Sequence, residues 1–187
     1  MEVLKFEIEG PLLLMPSKVA DDRGFVSETY SFRQLEPYIG PHSFVQDNHA
    51  LSQMAGTIRG LHFQIAPATQ GKLVRVVRGA AYDVAVDIRV GSPTYGRYVA
   101  VELSAANWGQ FWVPIGFAHG FCTLEPQTEV VYKLTGYYSP QHDRGLAWND
   151  PSLGIPWPVV GGAASLSPRD QAQSSLANLP AYFQWMP

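Results

Sequence analysis

Short apolar stretches recur along the chain, and several of them interleave apolar and polar residues with a period of two. They begin at Val3, Leu12, Ser43, Thr57, Lys72, Ala81, Tyr98, Gln110 and Thr128. Turn-forming residues separate them, notably Gly79, Gly91, Pro114, Gly116 and Gly136. Many short strands divided by such turns predict an all-β sandwich or barrel.

Helical signals are few, and the better ones begin at Ser31 and at Ser167. In the second, Ser167 is a suitable N-cap, Pro168 suits the first helical position and Asp170 the third. From about Gly161 the residues are small and polar, which predicts a linker into this C-terminal helix. The aromatic tail from Pro180 is expected to dock on a surface, with another subunit as one option.

Composition, net charge and cysteine content limit the kinds of protein that this chain can be. A chain of 187 residues with 46% apolar content predicts one domain, 1–187, in which 161–187 form the linker, helix and tail. The net charge of −3 argues against an extended nucleic-acid interface, although a local basic pocket remains compatible with phosphate. Cys122 is the only cysteine, which excludes an intrachain disulfide and fits a reducing cytoplasm. No signal peptide or membrane span is recognisable, so we expect a soluble, unprocessed protein.

Ionisable residues are concentrated between Gly56 and Arg89, inside two strand-like runs. His62 lies in one of them and is either a packed histidine or a general base that works near neutral pH. Strict alternation places Arg59 and His62 on opposite faces. A β-bulge at Gly60 would bring both to one pocket.

Two other residues allow a structural and a chemical interpretation. Asp170 either completes the helix cap with Ser167 or accepts the Nδ1 hydrogen of a histidine and stabilises its imidazolium form. Tyr132 is either a packed cross-strand aromatic or a proton donor that points into a cavity. Distance along the chain does not decide between these roles.

Cations and carboxylates nearby are also ambiguous. Lys72, Arg59, Arg23 and Arg169 are surface charges if taken singly, but together they suit a diphosphate pocket, and a lysine beside a carbonyl stabilises an enolate. Asp83 and Asp87 share one strand face and are interpreted as structural or supporting groups. His119 follows a sharp turn and is either a rim residue or a ligand contact.

Eight blocks in order make the sequence resemble the dTDP-4-dehydrorhamnose 3,5-epimerases, a family of the cupin superfamily. The blocks are DDRGFVSE from Asp21, FVQDNHA from Phe44, IRGLHFQ from Ile58, QGKLVRVVRG from Gln70, YDVAVDIR from Tyr82, PIGFAHGF from Pro114, YKLTGYYSP from Tyr132 and WNDPSLGIPWP from Trp148. The resemblance implies a cupin-type jelly-roll β-barrel or sandwich with a few short helices. It also implies epimerisation of dTDP-4-dehydro-6-deoxy-D-glucose at C3 and C5 without a cofactor, by a cytoplasmic homodimer.

The same resemblance assigns roles to matching positions. His62 corresponds to the catalytic base, Asp170 to its carboxylate partner, Tyr132 to the acid on the opposite face and Lys72 to the group near the C4 oxygen. Substrate contacts fall on Arg23, Glu28, Gln46, Asn48, Arg59, His119, Tyr138, Asp143 and Arg169, with Tyr138 stacking on thymine. The family often has Glu at the position of Asp143 and Lys at that of Arg169.

Three alternatives stay open at this point. A relative of the same fold inverts only C3 or only C5, and His62, Tyr132 and Lys72 are expected in both cases. A metal-dependent cupin oxygenase needs several His and Glu ligands, but the pair expected as His-x-His is His62 and Gln64 here, which predicts no metal site. A non-catalytic sugar-nucleotide binder would keep the cations and lack a working proton pair.

Overall fold

Antiparallel strands form most of the regular structure in the computed structural model, which describes residues 1–159 and 164–186. The first three residues of the predicted linker, 161–163, therefore lie outside the described residues. The strands are β1 (Glu2–Lys5), β2 (Leu12–Met15), β3 (Val19–Asp21), β4 (Gly24–Val26), β5 (Gln46–Ser52), β6 (Ile58–Gln64), β7 (Lys72–Arg78), β8 (Ala80–Asp87), β9 (Arg89–Val90), β10 (Tyr98–Ser104), β11 (Gln110–Val113), β12 (Phe117–Thr123), β13 (Thr128–Leu134), β14 (Asp143–Gly145) and β15 (Phe183–Gln184).

Two antiparallel sheets face each other and confirm the predicted all-β fold. The six-stranded sheet has the order β1-β2-β11-β7-β13-β5, and the five-stranded sheet has the order β10-β8-β12-β6-β14. The apolar core between them takes side chains from both sheets, for example Val74, Phe111 and Val130 from one and Leu103 and Phe121 from the other. The sheets form an open sandwich, and β3 with β4 forms a separate hairpin.

The period of two sorts side chains between the inside of this sandwich and its outer faces. On β7, Val74 and Val76 enter the inner core, whereas Leu73 packs outward in a cluster with Leu35 of the first helix. Lys72 has the same parity as Val74, so its side chain faces inward. An inward lysine next to an apolar core is unusual and marks this end of the sandwich as polar.

Both predicted helices are present: α1 (Phe32–Ile39) and α2 (Pro168–Gln171). The cap of α2 is the predicted one, because the Oγ of Ser167 accepts a hydrogen bond from the backbone N–H of Asp170 and Pro168 opens the helix. No helix within 1–159 and 164–186 is long and apolar enough to cross a bilayer.

The predicted bulge in β6 is confirmed. His119 of β12 pairs with His62, but Phe121 pairs with Arg59, so two residues of β6 lie opposite Gly120. A Cβ atom on Gly60 would lie 2.6 Å from the Cα of Gly120, and the φ angle of Gly60 is 123°. Glycine at this position therefore permits the close strand approach that turns His62 to the same side as Arg59.

The chain after β14 returns to the five-stranded sheet. Parallel bridges join Thr57 to Ser165 and Leu146 to Ser174, and β15 pairs in parallel with β9. The aromatic tail docks on its own chain, where the rings of Tyr182 and Phe183 lie 5.9 and 6.0 Å from that of Phe63. These contacts hold α2 against β6.

Candidate active site

A cavity of about 220 Å³ lies between the two sheets at their polar end. It is lined by β5, β6, β7, β13, β14 and α2. Its walls are formed by Asn48, His62, Phe63, Gln64, Gln70, Lys72, Tyr132, Leu134, Tyr138, Asp143 and Arg169. His62 stands on the five-stranded sheet and Tyr132 on the six-stranded sheet, so the two side chains belong to opposite walls.

His62 and Asp170 form a hydrogen-bonded pair. The Nε2 of His62 lies 2.5 Å from Oδ1 of Asp170, and the Asp170 side chain is 5% exposed whereas that of His62 is 28% exposed. The sequence prediction of an Nδ1 contact is wrong in this detail, because the ring presents Nε2 to the carboxylate. Nδ1 is therefore the nitrogen left free to accept a proton.

Asp170 combines both roles that the sequence left open. Its other oxygen, Oδ2, accepts a hydrogen bond from the Oγ of Ser167 at 2.8 Å, while its backbone N–H donates to the same Oγ. Burial alone would raise the pKa of Asp170, but the hydrogen bonds and charges of His62, Ser167 and Arg169 lower it overall. The helix cap thus aims an ionised carboxylate at the imidazole.

Tyr132 is held by a relay of amide side chains. Its hydroxyl oxygen accepts a hydrogen bond from Nδ2 of Asn48 at 3.1 Å, and Oδ1 of Asn48 accepts one from Nε2 of Gln46 at 2.8 Å. Gln46 in turn accepts the backbone N–H of Tyr138 at 2.8 Å. Because Asn48 donates to the phenol oxygen, the phenol proton is free to point into the cavity.

Lys72 reaches across the cavity between the sheets. Its Nζ donates a hydrogen bond to the backbone oxygen of His62 at 3.1 Å, and the residue is 8% exposed. Burial lowers the pKa of Lys72 to about 8, although the carboxylates of Asp143 and Asp83 act to raise it. The ammonium form is therefore present at neutral pH and is lost as the pH rises through about 8.

Asp143 and Arg169 form an ion pair at the edge of the cavity, with 2.6 Å between Oδ2 and the guanidinium nitrogen. The hydrogen bond and charge of Asp143 raise the pKa of Arg169. Asp143 lies on β14 and Arg169 on α2, next to Asp170. The pair thus ties the helix that carries Asp170 to the sheet that carries His62.

His119 and Arg59 face inward but are not among the residues that line the cavity. The Nε2 of His119 lies 2.8 Å from Oδ1 of Asp83, and both side chains are buried. Arg59 is exposed and donates hydrogen bonds to Oγ of Ser52 and to the carbonyl oxygen of Leu51. The bulge places Arg59 on the same face of the sheet as His62, but farther along the strand.

Arg23 and Glu28 lie away from this cavity within the same chain. Arg23 sits on the β3–β4 hairpin and pairs with Asp21, and Glu28 accepts a hydrogen bond from Gln34. Thr29, the residue after Glu28, lies on the outer face of the six-stranded sheet, where Gln110 donates to its carbonyl oxygen. The sheet therefore separates both residues from His62.

Gln64 is a site residue for which the sequence suggested no role. It is buried, its Nε2 donates to the carbonyl oxygens of Ala68 and Tyr137, and its Oε1 accepts the backbone N–H of Ser139. These bonds shape the loop that carries Tyr138 at the cavity mouth. A polar residue in an otherwise apolar strand, two positions after His62, is the signal from which its role could have been inferred.

A larger cavity, of about 370 Å³, lies on the other side of the six-stranded sheet. Asp47, His49 and Lys133 contribute to it, and they alternate along their strands with the inward residues Asn48 and Tyr132. It contains neither His62 nor Lys72, so we place the chemistry in the smaller inner cavity. Within the parts of the chain that the structure describes, no group of three or more His, Cys, Asp or Glu residues is arranged to hold a metal ion.

Comparison with known proteins identifies the family of the chain. The family model of dTDP-4-dehydrorhamnose 3,5-epimerase matches residues 5–178. The dTDP-4-dehydrorhamnose 3,5-epimerase of Sinorhizobium fredii is 52% identical over 174 residues, which cover 93% of this chain and 89% of the relative. That of Escherichia coli is 47% identical over 180 residues, 96% of each chain.

Solved structures give the same result. The dTDP-6-deoxy-D-glucose-3,5-epimerase of Legionella pneumophila, in complex with dTDP-4-keto-L-rhamnose, superposes with a TM-score of 0.94 at 41% identity and covers 100% of this chain and 99% of its own. A 3'-monoepimerase from Streptomyces bikiniensis, in complex with dTDP-quinovose, matches with a TM-score of 0.85 at 33% identity over 92% of this chain and 86% of its own. The chain belongs to the dTDP-4-dehydrorhamnose 3,5-epimerase family.

Proposed function

We propose that the protein epimerises dTDP-4-dehydro-6-deoxy-D-glucose at C3 and C5 to give dTDP-4-dehydro-L-rhamnose. The observation that carries the proposal is the placement of His62 and Tyr132 on opposite walls of one cavity, with Lys72 reaching between them. This arrangement supplies a base, an acid and an oxyanion partner without any further group.

The reaction begins with the removal of a proton next to the C4 ketone. Nδ1 of His62 takes the proton from carbon, and the Asp170 carboxylate stabilises the imidazolium through Nε2–H. The electron pair of the broken C–H bond moves to the C4 oxygen, where the Lys72 ammonium stabilises the enolate. C3 and C5 both neighbour the ketone, so one base serves both centres.

Inversion requires that the new proton arrive from the other face of the ring. The phenol of Tyr132 gives its proton to carbon while the enolate collapses back to the ketone. The phenolate and the imidazolium that remain then exchange protons with solvent, which resets the site. Atoms and charge balance without an oxidant or a reductant.

Hydrogen exchange in deuterated water tests this proposal. Incubation of the 4-keto sugar nucleotide with the enzyme should place deuterium at C3 and C5, as followed by NMR and mass spectrometry. Tyr132→Phe should retain proton removal more than inversion, whereas Tyr95→Phe, a loop tyrosine outside the cavity, is the matched control. Binding of the nucleotide without exchange at either carbon would instead indicate a sugar-nucleotide binder.

The product stereochemistry separates the double epimerase from its single-centre relatives. The relatives reported above with 47–52% identity are named 3,5-epimerases, whereas the 3'-monoepimerase is 33% identical. We therefore expect inversion at both centres. NMR coupling constants of the product that showed inversion at C3 or at C5 alone would assign the protein to the mono-epimerases.

We also propose that the enzyme works as a homodimer in the cytoplasm and that Arg23 and Glu28 serve the cavity of the partner chain. The β3–β4 hairpin that carries Arg23 exposes Val19 and Val26 by 76% and 77% and Phe25 by 47%. Apolar side chains exposed together mark an interaction surface. A twofold dimer would cover them and would bring the Arg23 guanidinium and the Glu28 carboxylate to the other cavity.

A hybrid dimer distinguishes contribution across the interface from contribution within one chain. His62→Asn and Arg23→Ala variants are each expected to be nearly inactive. When the two are mixed and re-associated, contribution across the interface restores one complete site in each hybrid dimer, roughly a quarter of wild-type activity for random pairing. Contribution within one chain restores none, and a monomer in light scattering would reject the dimer outright.

A further inference from the structure

Asp83 is the most deeply buried carboxylate near the cavity, and its environment is incompletely satisfied. It lies on the inner face of β8 between Ala81 and Ala85, with no exposed surface. Oδ1 contacts His119, but Oδ2 is the one buried side-chain oxygen or nitrogen in the described residues without a hydrogen-bond partner. A carboxylate in this position is strongly unfavourable unless a nearby cation balances its charge.

Lys72 has the positive charge and the unused hydrogen-bond donors that Asp83 lacks as partners. An ammonium group has three N–H donors, and the structure gives Lys72 one acceptor, the carbonyl oxygen of His62. The titratable and charged groups that face Lys72 are His62 on β6, Asp83 on β8, His119 on β12, Tyr132 on β13, Asp143 on β14 and Arg169 on α2. Asp83 and Asp143 are the two anions of this set, and Asp143 is already bound to Arg169.

We infer that Asp83 is a positioning residue for the epimerisation, whose buried charge keeps Lys72 in its ammonium form and fixes His119 behind the cavity. This inference rests on the proposed function. His119 is neutral in this arrangement, because burial lowers its pKa more than Asp83 raises it. The charge of Asp83 therefore remains available to Lys72.

The pH dependence of exchange tests the inference. Asp83→Asn keeps the shape of the side chain and an oxygen for His119 but removes the charge, so Lys72 should lose its proton at lower pH. We expect exchange at pH 8 to fall about tenfold and the alkaline limb of the profile to move to lower pH, with dTDP affinity unchanged. Measuring the profile also in the Tyr132→Phe background tests whether the limb is independent of the proposed acid.

Asp87→Asn is the matched control, because Asp87 is equally buried on the same face of β8 and is bound to Arg89, Ser92 and Thr94. It should lower the melting temperature and leave the alkaline limb in place. A second test is the double variant: after Lys72→Met, Asp83→Asn should cause no further loss of rate. An equal loss in both backgrounds, or an unmoved limb, would overturn the inference.

Folding failure would also be informative. If Asp83→Asn does not fold, the double variant with Lys72→Met should fold, because the unbalanced buried ammonium is gone. A double variant that also fails would show that Asp83 serves the core alone. Absence of exchange in the wild-type enzyme would reject the proposed function, whereas wild-type exchange with an unmoved limb in Asp83→Asn would reject only the role of Asp83.

Discussion

The molecule contains two histidine–aspartate pairs on adjacent strands, and the difference between them is the reason why we propose only one of the two histidines as the base. His62 and His119 lie opposite each other in the pairing of β6 with β12, and each presents Nε2 to a carboxylate, at 2.5 and 2.8 Å. The His62 side chain is 28% exposed and lines the cavity, whereas that of His119 is 5% exposed. Both histidines therefore have a carboxylate partner, but only His62 has a free ring nitrogen that a substrate in the cavity can reach.

The second difference lies in the origin of the carboxylate. Asp170 comes from a short capped helix at the edge of the sandwich, while Asp83 comes from the middle of a central strand. A helix on the rim can direct its carboxylate to an exposed ring, but a central strand buries whatever it carries. We therefore propose that the same pair of residue types transfers protons in one place and holds a buried charge in the other.

Replacing each of the two histidines should give the largest difference in activity between the two pairs. His62→Asn removes the base, and exchange at C3 and C5 should fall at least about 10³-fold, at the upper part of the usual range for general bases. His119→Asn should reduce exchange about tenfold or less, because no proton passes through it. Equal losses in two folded variants, measured by deuterium incorporation, would show that the comparison is wrong.

Lys72→Met should have the next largest effect. Removal of an oxyanion donor typically lowers kcat about 10²- to 10³-fold, and dTDP binding should be spared. In the wild-type enzyme, exchange should decline as pH rises through about 8, since the lowered pKa of Lys72 means that its ammonium is lost there. The residual activity of Lys72→Met should lack this decline, and its persistence would assign the limb to another group.

Asp170→Asn should reduce the rate about 10²-fold without loss of the fold. A neutral amide does not stabilise the imidazolium, and an Asn that turns its NH2 group toward Nε2 favours the opposite tautomer of His62. In the wild type the lowered pKa of Asp170 keeps this carboxylate ionised at neutral pH. Melting temperature and kcat should be measured together on this variant. A lower melting temperature with normal specific activity would contradict the assignment.

Ser167→Ala gives the smallest expected effect. Loss of the cap bond should destabilise the fold by about 1 kcal/mol in denaturant titrations. Activity should fall a few-fold, because Ser167 also donates to Asp170. Ser175→Ala is the matched control, since Ser175 precedes the 3-10 turn at Leu176–Asn178 without a side-chain bond to its backbone. An equal loss of rate in both variants would indicate that activity falls because the C-terminal segment as a whole is destabilised.

The sequence predicted the parts of this fold in which pattern and local chemistry agree. β2 begins and ends where its apolar run does, β7 and β13 begin at the predicted residues, and the cap of α2 follows from Ser167, Pro168 and Asp170. The bulge at Gly60 was predicted because Arg59 and His62 can face one pocket only if the alternation of the strand is interrupted between them. In each case the signal lies within a few neighbouring residues.

Other parts depend on pairing partners and left no local signal. The β3–β4 hairpin and β14 are three-residue strands with mostly polar or small residues, and β14 exists because it pairs with β6. The contact of Asp83 with His119 depends on the register of β8 against β12. The assignment of Nε2 rather than Nδ1 to Asp170 depends on the ring orientation.

The pair His62–Asp170 joins residues 108 positions apart, and its carboxylate arrives on the segment that returns to β6 after β14. During translation, all strands of both main sheets emerge before Asp170 does. A nascent chain can therefore complete its sandwich and still lack the partner of its base. Onset of turnover during synthesis would report the docking of this last segment, which makes catalysis a sensitive readout of finished assembly.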